Sequence, residues 1–330
     1  MTTRIGTDIF EALDLLKKSE VVAIPTETVY GLAANGFDAE AVDKIFKVKE
    51  RPSFNPLILH FPDKESAMEV IDFFPSWAEK LMNEFWPGPL TLVLPKKDVV
   101  PSNVTAGKNT VAVRVSNHKM ILGLLKQLEF PLAAPSANLF GRTSPTKPEH
   151  VMKDLNGRIP YILDGGACEC GIESTIIGLG EDHQPVLLRA GALDVKILEN
   201  SIGKISSYSQ NDMHPLAPGM LDKHYAPSTQ AFLVENVSAL VNSMSSLKIG
   251  VLLFGDQELS PEICVRVLSK SRYFTEAAMN LYNMIRELDS LNLDLIIFEK
   301  LPNYGIGIAI NDKLIRASRT EIELKEFLKK

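Results

Sequence analysis

Residues 21–24, Val-Val-Ala-Ile, form an apolar run that predicts a buried strand, and Pro25 ends it. Thr26, Glu27, Thr28 and Tyr30 follow where a core strand would simply turn. Polar side chains just past the end of a buried strand are where open α/β sheets bind ligands. Upstream, Ile9, Leu13 and Leu16 share one helical face, and Asp8 with Glu11 three positions on reads as a capping box. Asp38 is expected to cap a second helix through Ala41, Val42, Ile45 and Phe46, which runs out into Lys47, Lys49 and Arg51. Residues 57–59 predict a short strand ending at His60, and 79–85 a helix stopped by Trp86-Pro87-Gly88-Pro89. Further strands are expected at 90–94, 111–115, 131–134, 161–163, 174–177 and 186–189. Strands and helices alternating at irregular spacing give an α/β fold with a mixed, twisted, open sheet and flanking helices.

The pattern changes near Gly203. Residues 206–227 are polar and carry Pro215, Pro218, Gly219 and Pro227, which reads as an extended linker. Beyond it, residues 249–254 and 293–298 read as strands around a helix whose apolar face is Ala277, Leu281, Met284, Ile285 and Leu288. About a hundred residues suffice for a smaller second α/β domain.

Composition narrows the function classes. A net charge of −6 argues against a chain that coats nucleic acid through bulk electrostatics, while leaving room for a local basic cleft. Cys168, Cys170 and Cys264 supply neither a disulfide framework nor a C-x-x-C pair, which fits a reducing, cytoplasmic setting and argues against a zinc site. The first twenty residues carry Asp8, Glu11 and Asp14, unlike a secretory leader, and no apolar run approaches membrane-spanning length.

The basic cluster Lys47, Lys49, Arg51 could be a solvated helix end, where cations favour the dipole, or an anion site beside Asn55-Pro56-Leu57. Ala134-Pro135-Ser136-Ala137-Asn138 could be a capped turn or a nucleotide contact. Asp164-Gly165-Gly166 and Gly171 to Thr175 bracket a glycine-rich loop open to the same two readings. Arg114, His60 and Arg189 each end an apolar strand, where a charge either meets solvent or pairs with a ligand. There is no G-x-x-x-x-G-K-[ST] loop and no Ser-His-Asp elbow. A nucleotide, if bound, sits in a pocket of another kind.

Taken in order, Pro25-Thr26-Glu27-Thr28-Val29-Tyr30-Gly31, Lys49-x-Arg51-Pro52 with Asn55-Pro56-Leu57, Pro135-Ser136-Ala137-Asn138 and Gly171-x-Glu173-Ser174-Thr175 closely resemble the YrdC-like family over residues 8–200. Pro218-Gly219-Met220 and His224-Tyr225-Ala226-Pro227 resemble its long form, which carries a Rossmann-like C-terminal domain. The resemblance implies a catalytic domain at 1–205, a linker at 206–229 and the second domain at 230–330. It implies L-threonylcarbamoyladenylate synthase activity, in which L-threonine, bicarbonate and ATP give threonylcarbamoyl-AMP and pyrophosphate. Magnesium would arrive with ATP, protein side chains alone supplying no metal site. Downstream tRNA threonylcarbamoyl-transfer proteins would take the product to the adenosine beside the anticodon, with room for a weak tRNA contact and no membrane.

Carried over by position, Thr28, His60, Arg114, Ala134 and Ser174 are expected to contact threonine. Arg51, Asn55, Thr110, Ser136, Ser144 and Arg189 are expected to contact ATP, and Lys49, Arg51, Ser136 and Asn138 match the catalytic signature. Tyr225 is expected to reach the active site from the linker. Ala190 and Phe140 depart from the family pattern, where proline and a small residue are usual. A non-catalytic RNA-binding module is disfavoured by the acidic charge and hydroxyl-rich motifs. Carbamoyl transfer of the hydrogenase-maturation type lacks its C-x-x-C pairs here.

Overall fold

The computed structural model describes residues 2–180, 182–208, 217–219, 223–241, 244 and 247–329. Their strands in the N-terminal part are β1 (Arg4–Gly6), β2 (Val22–Ile24), β3 (Gly31–Asn35), β4 (Ile58–His60), β5 (Leu90–Pro95), β6 (Thr110–Arg114), β7 (Leu132–Ala133), β8 (Tyr161–Leu163), β9 (Thr175–Leu179), β10 (Pro185–Arg189) and β11 (Ser206–Ser207). They join in one mixed sheet of order β1-β8-β2-β3-β7-β4-β6-β5-β9-β10-β11. The parallel pair β4–β6 sets His60 opposite Arg114, so both side chains leave the sheet at the same edge.

Small shifts from the expected boundaries matter for the site. The strand expected at 174–177 begins at Thr175, leaving Ser174 on its lip. The one expected at 131–134 is only Leu132–Ala133, which frees Ala134 and Pro135 to line a cavity. β3 is hidden in the sequence because Leu32, Ala33 and Ala34 are buried on both faces and show no alternation. At helix Ile9–Lys17 only half of the expected capping box forms. Asp8 accepts from the N–H groups of Phe10 and Glu11, while the Glu11 carboxylate pairs with Arg4. The helix Ala39–Lys49 is capped by Asp38 as its sequence predicts.

The C-terminal part adds a four-stranded parallel sheet of β12 (Ala231–Val234), β13 (Ile249–Leu253), β14 (Cys264–Val267) and β15 (Leu295–Glu299), in the order β12-β15-β13-β14. Helix Phe274–Asp289 buries Ala277, Leu281, Ile285 and Leu288, as its spacing predicts. Its apolar cluster also takes in Val29, Ile172 and Tyr225, so the two sheets share buried surface. Gly171 sits at φ +75° against this helix, and a Cβ there would lie 2.4 Å from the Ala278 carbonyl oxygen. Only glycine allows that approach. No helix among the described residues is long and apolar enough to cross a membrane.

Candidate active site

A cavity opens where β2, β4, β6 and β7 end. It brings together Thr28, Arg51, His60, Arg114, Ala134, Ser136, Ser174, Arg189 and Tyr225, all of them expected from the sequence.

One wall is built around Arg114. Its Nε donates to the Gly88 carbonyl at 3.3 Å and its Nη1 to Thr28 Oγ1 at 3.0 Å. Thr26 Oγ1 gives its proton to the Val29 carbonyl at 2.6 Å, accepts from the N–H groups of Thr28 and Val29, and lies 2.9 Å from Thr28 Oγ1. Thr28 Oγ1 accepts from Arg114 and keeps a second lone pair for a ligand. Glu27 forms a 2.8 Å ion pair with Arg114 and accepts from Ser116. Burial would raise the Glu27 carboxyl, but the Arg114 charge and Ser116 outweigh it and hold it below its ordinary value. Burial, then the Arg114 charge, lowers His60 from 6.5 to about 3, so its imidazole is neutral across the physiological range.

The opposite wall carries two further guanidinium groups. Arg189 donates from Nε and Nη2 to the Ser174 carbonyl at 3.2 and 2.9 Å, and from Nη2 to Ser174 Oγ at 3.1 Å. Its Nη1 donates to the carbonyl of Pro218 at 2.9 Å. Arg51 donates to the carbonyls of Asn55 and Pro56. Burial lowers Arg51 to about 9, which leaves it cationic at neutral pH. Pro218, Gly219, His224 and Tyr225 of the expected linker close the cavity over these groups.

Five expected site residues stand outside the lining. Lys49 is buried, and its Nζ donates to the carbonyls of Ser136 and Asn138, so it ties the 136–138 loop to its helix and does not point at the cavity. Burial, then the Arg51 charge, pushes it well below the ordinary lysine value. Asn138 donates to the carbonyls of Leu139 and Arg142, which fixes the same loop from within. Ser144 donates to Glu173 Oε1 at 2.6 Å, one step behind the lining. Thr110 lies at the far end of β6 from Arg114, on the same face by alternation. Between them, Ala112 and Ile58 pack with Tyr208 and Ala217 from the two sides of the linker. Asn55 is fully buried with neither amide atom hydrogen-bonded.

The sequence alone assigns no role to Glu27, Glu173, Thr91 or His224. Thr91 meets Ser174 Oγ at 2.8 Å, and His224 and Glu173 line the cavity. Glu27 and Glu173 both sit inside the motifs named above, flanked by hydroxyl residues, and that flanking is the available signal.

Buried polar atoms without a hydrogen-bond partner gather around this cleft. They include His60 Nδ1, both Asn55 amide atoms, His224 Nδ1 and the Tyr225 hydroxyl. Such atoms are uncommon in protein interiors and mark places where a ligand completes the bonding.

Residues 14–191 match the Sua5–YciO–YrdC family model, described as telomere recombination, and residues 192–319 match the model of the threonylcarbamoyl-AMP synthase C-terminal domain. The chain is 40% identical over 321 residues to the threonylcarbamoyl-AMP synthase of Bacillus subtilis, covering 94% of this chain and 92% of that one. It is also 40% identical over 321 residues to that of Pyrococcus abyssi, covering 93% of each. The solved structure of P. abyssi Sua5 complexed with L-threonine superposes with a TM-score of 0.89 at 38% identity, over 96% of this chain and 97% of that one. The chain therefore belongs to the threonylcarbamoyl-AMP synthase family, in its two-domain form.

Proposed function

We propose that this cleft condenses L-threonine, CO2 drawn from bicarbonate, and ATP into threonylcarbamoyl-AMP and pyrophosphate. The observation that carries the reading is the set of unpartnered buried polar atoms around a cavity holding three guanidinium groups. The similar P. abyssi Sua5 was solved as a complex with L-threonine, which supports the same amino acid here.

Arg114 would hold the threonine carboxylate with a guanidinium that Glu27 sets in place, and Thr28 would accept from the substrate. Ser174 and neutral His60 would pair with the threonine hydroxyl or carbamate. The amine takes up CO2, the carbamate oxygen attacks the α-phosphorus, and pyrophosphate leaves. Arg51, Arg189 and Ser136 would neutralise and orient the phosphates, while Lys49 and Asn138 keep the 136–138 loop in shape. No protein nucleophile takes part, and positioning with fixed charge supplies the rate.

Magnesium is proposed as the counter-ion of ATP. Among the described residues no cluster of His, Cys, Asp or Glu could cage a metal, and Glu27 and Glu173 are already engaged by protein donors. Bound with ATP, it would add positive charge at the phosphate oxygens.

The linker is proposed as the gate. The Pro218 carbonyl occupies Arg189, and Tyr208 with Ala217 covers the sheet face between Arg114 and Thr110. ATP must displace these contacts to reach both ends of that face. Delivery of the product to transfer proteins, a weak tRNA contact and a cytoplasmic site remain expectations of the family reading.

The test incubates the protein with ATP, bicarbonate and labelled threonine. Pyrophosphate release that requires threonine supports the proposal; release indifferent to threonine, or none, overturns it. Arg51→Ala should lower turnover roughly a hundred- to a thousand-fold with the fold retained.

A further inference from the structure

Tyr282 sits on the helix Phe274–Asp289 of the C-terminal part, yet it is completely buried against the catalytic cleft. Its hydroxyl donates to Glu173 Oε2 at 2.8 Å. The other oxygen of that carboxylate accepts from Ser144 Oγ at 2.6 Å. Glu173 lines the cavity, and its carbonyl accepts from Ala192 N–H at 2.9 Å. The Tyr282 ring also stacks on Tyr225 of the linker, with centroids 5.6 Å apart and planes 28° apart. One side chain thus touches the cleft, the linker and the second sheet.

A hydroxyl has one proton and two lone pairs. Because Ser144 gives its proton to Glu173, it can meet a ligand only as an acceptor. That assignment holds while Glu173 is fixed, and Tyr282 occupies the oxygen that Ser144 does not. Burial, then the Glu173 carboxylate, keeps the Tyr282 phenol far above its ordinary pKa, so it remains the donor.

We propose that Tyr282 is a positioning residue for the nucleotide: it locks Glu173 so that Ser144 presents a lone pair to a donor group of ATP, a ribose hydroxyl or the adenine amine. This rests on the reading of Ser144 as an ATP contact. It gives the C-terminal domain a chemical task in the cleft beyond docking, reaching Ser144 through a single carboxylate.

The helix also makes a contact that separates docking from positioning. Arg286 forms a bidentate pair with Asp154 at 2.6 and 3.2 Å and bonds the Thr143 carbonyl. The experiment compares Tyr282→Phe with Arg286→Gln. Both should lower the unfolding midpoint, since both cut contacts between the two parts. Tyr282→Phe alone should raise the KM for ATP, by about tenfold for one lost hydrogen bond, with the threonine KM and kcat nearly unchanged. In a Ser144→Ala background, Tyr282→Phe should have no further effect.

An equal rise in ATP KM for Arg286→Gln, or an additive effect in the Ser144→Ala background, would reduce Tyr282 to a docking residue. Calorimetric binding of α,β-methylene-ATP to the same variants reads the relay without turnover. A wild-type chain that binds this analogue with the Tyr282 dependence but releases no threonine-dependent pyrophosphate would refute the synthase reading and leave the relay standing. Analogue binding unaffected by Tyr282→Phe would overturn the relay.

Discussion

Arg114 Nη2 and Glu27 Oε1 lie 2.8 Å apart beside the cleft, and both residues are almost wholly buried. The carboxylate neutralises the guanidinium and fixes its plane through Nη2. Gly88 and Thr28 hold the other two nitrogens. An arginine held this way presents a preset guanidinium plane to a substrate carboxylate.

Glu27→Gln keeps the shape and removes the charge. Breaking a buried ion pair from one side costs about 3–5 kcal/mol, so urea unfolding should show a loss of that size. Because Arg114 loses its orientation, the threonine KM should rise at least about tenfold while the ATP KM stays put. A stability loss with an unchanged threonine KM would make the pair structural only.

Selectivity tests the hydroxyl-lined wall. A pocket that merely fits shape separates threonine from isosteric valine by no more than roughly 200-fold, whereas one that pairs the hydroxyl reaches about 10⁴. The Thr28, Ser174 and His60 constellation predicts the larger figure in kcat/KM. Equal turnover of valine and threonine would remove that constellation from substrate recognition.

His60 makes stability depend on pH. Its folded pKa is about 3, against 6.5 as the ordinary value. Between those values the unfolded chain holds a proton that the folded chain excludes, so stability is full above about pH 6.5 and falls as pH drops toward 3. The slope reaches about 1.4 kcal/mol per pH unit for one such group. His150, also lowered to about 3, adds to it, and below 4.5 protonation of Glu27 contributes in the same direction. Urea midpoints of His60→Gln measured between pH 6 and 5 should show a shallower slope than the parent. An identical slope would place the pH dependence elsewhere.

Phe140 stands edge-on to His224 of the linker, with ring centroids 6.0 Å apart and planes at 90°. Such pairs contribute about 0.5–1.5 kcal/mol. Phe140→Ala should therefore open the linker more often, speeding ATP association several-fold in stopped-flow mixing and shortening the lifetime of the bound mixed anhydride. Unchanged association would mean that the linker is not what limits ATP access.

Much of this site could be read in the sequence because its residues lie just beyond apolar strand ends. Thr28, His60 and Arg114 each follow or close a hydrophobic run, Ser174 opens one, and the sheet carries all four to one cavity. What escaped depends on long-range pairing. Lys49 looks like a phosphate ligand in the chain, and only the fold shows its ammonium satisfied by two carbonyls of a loop almost ninety residues away. Tyr282 reads as an ordinary core position of an amphipathic helix, since nothing local distinguishes a tyrosine facing leucines from one facing Glu173. The short strands β1, β11, β12 and β14 lacked the length for a period to show.

The most direct test follows an oxygen atom. If a threonine carbamate attacks the α-phosphorus, the bridging oxygen comes from bicarbonate and leaves with AMP when the carbonyl is later attacked. With ¹⁸O-bicarbonate, assayed before its oxygens exchange with water, mass spectrometry should find AMP carrying a single ¹⁸O in a threonine-dependent reaction. Unlabelled AMP formed alongside pyrophosphate would mean that water, not a carbamate, reaches the phosphorus in this cleft.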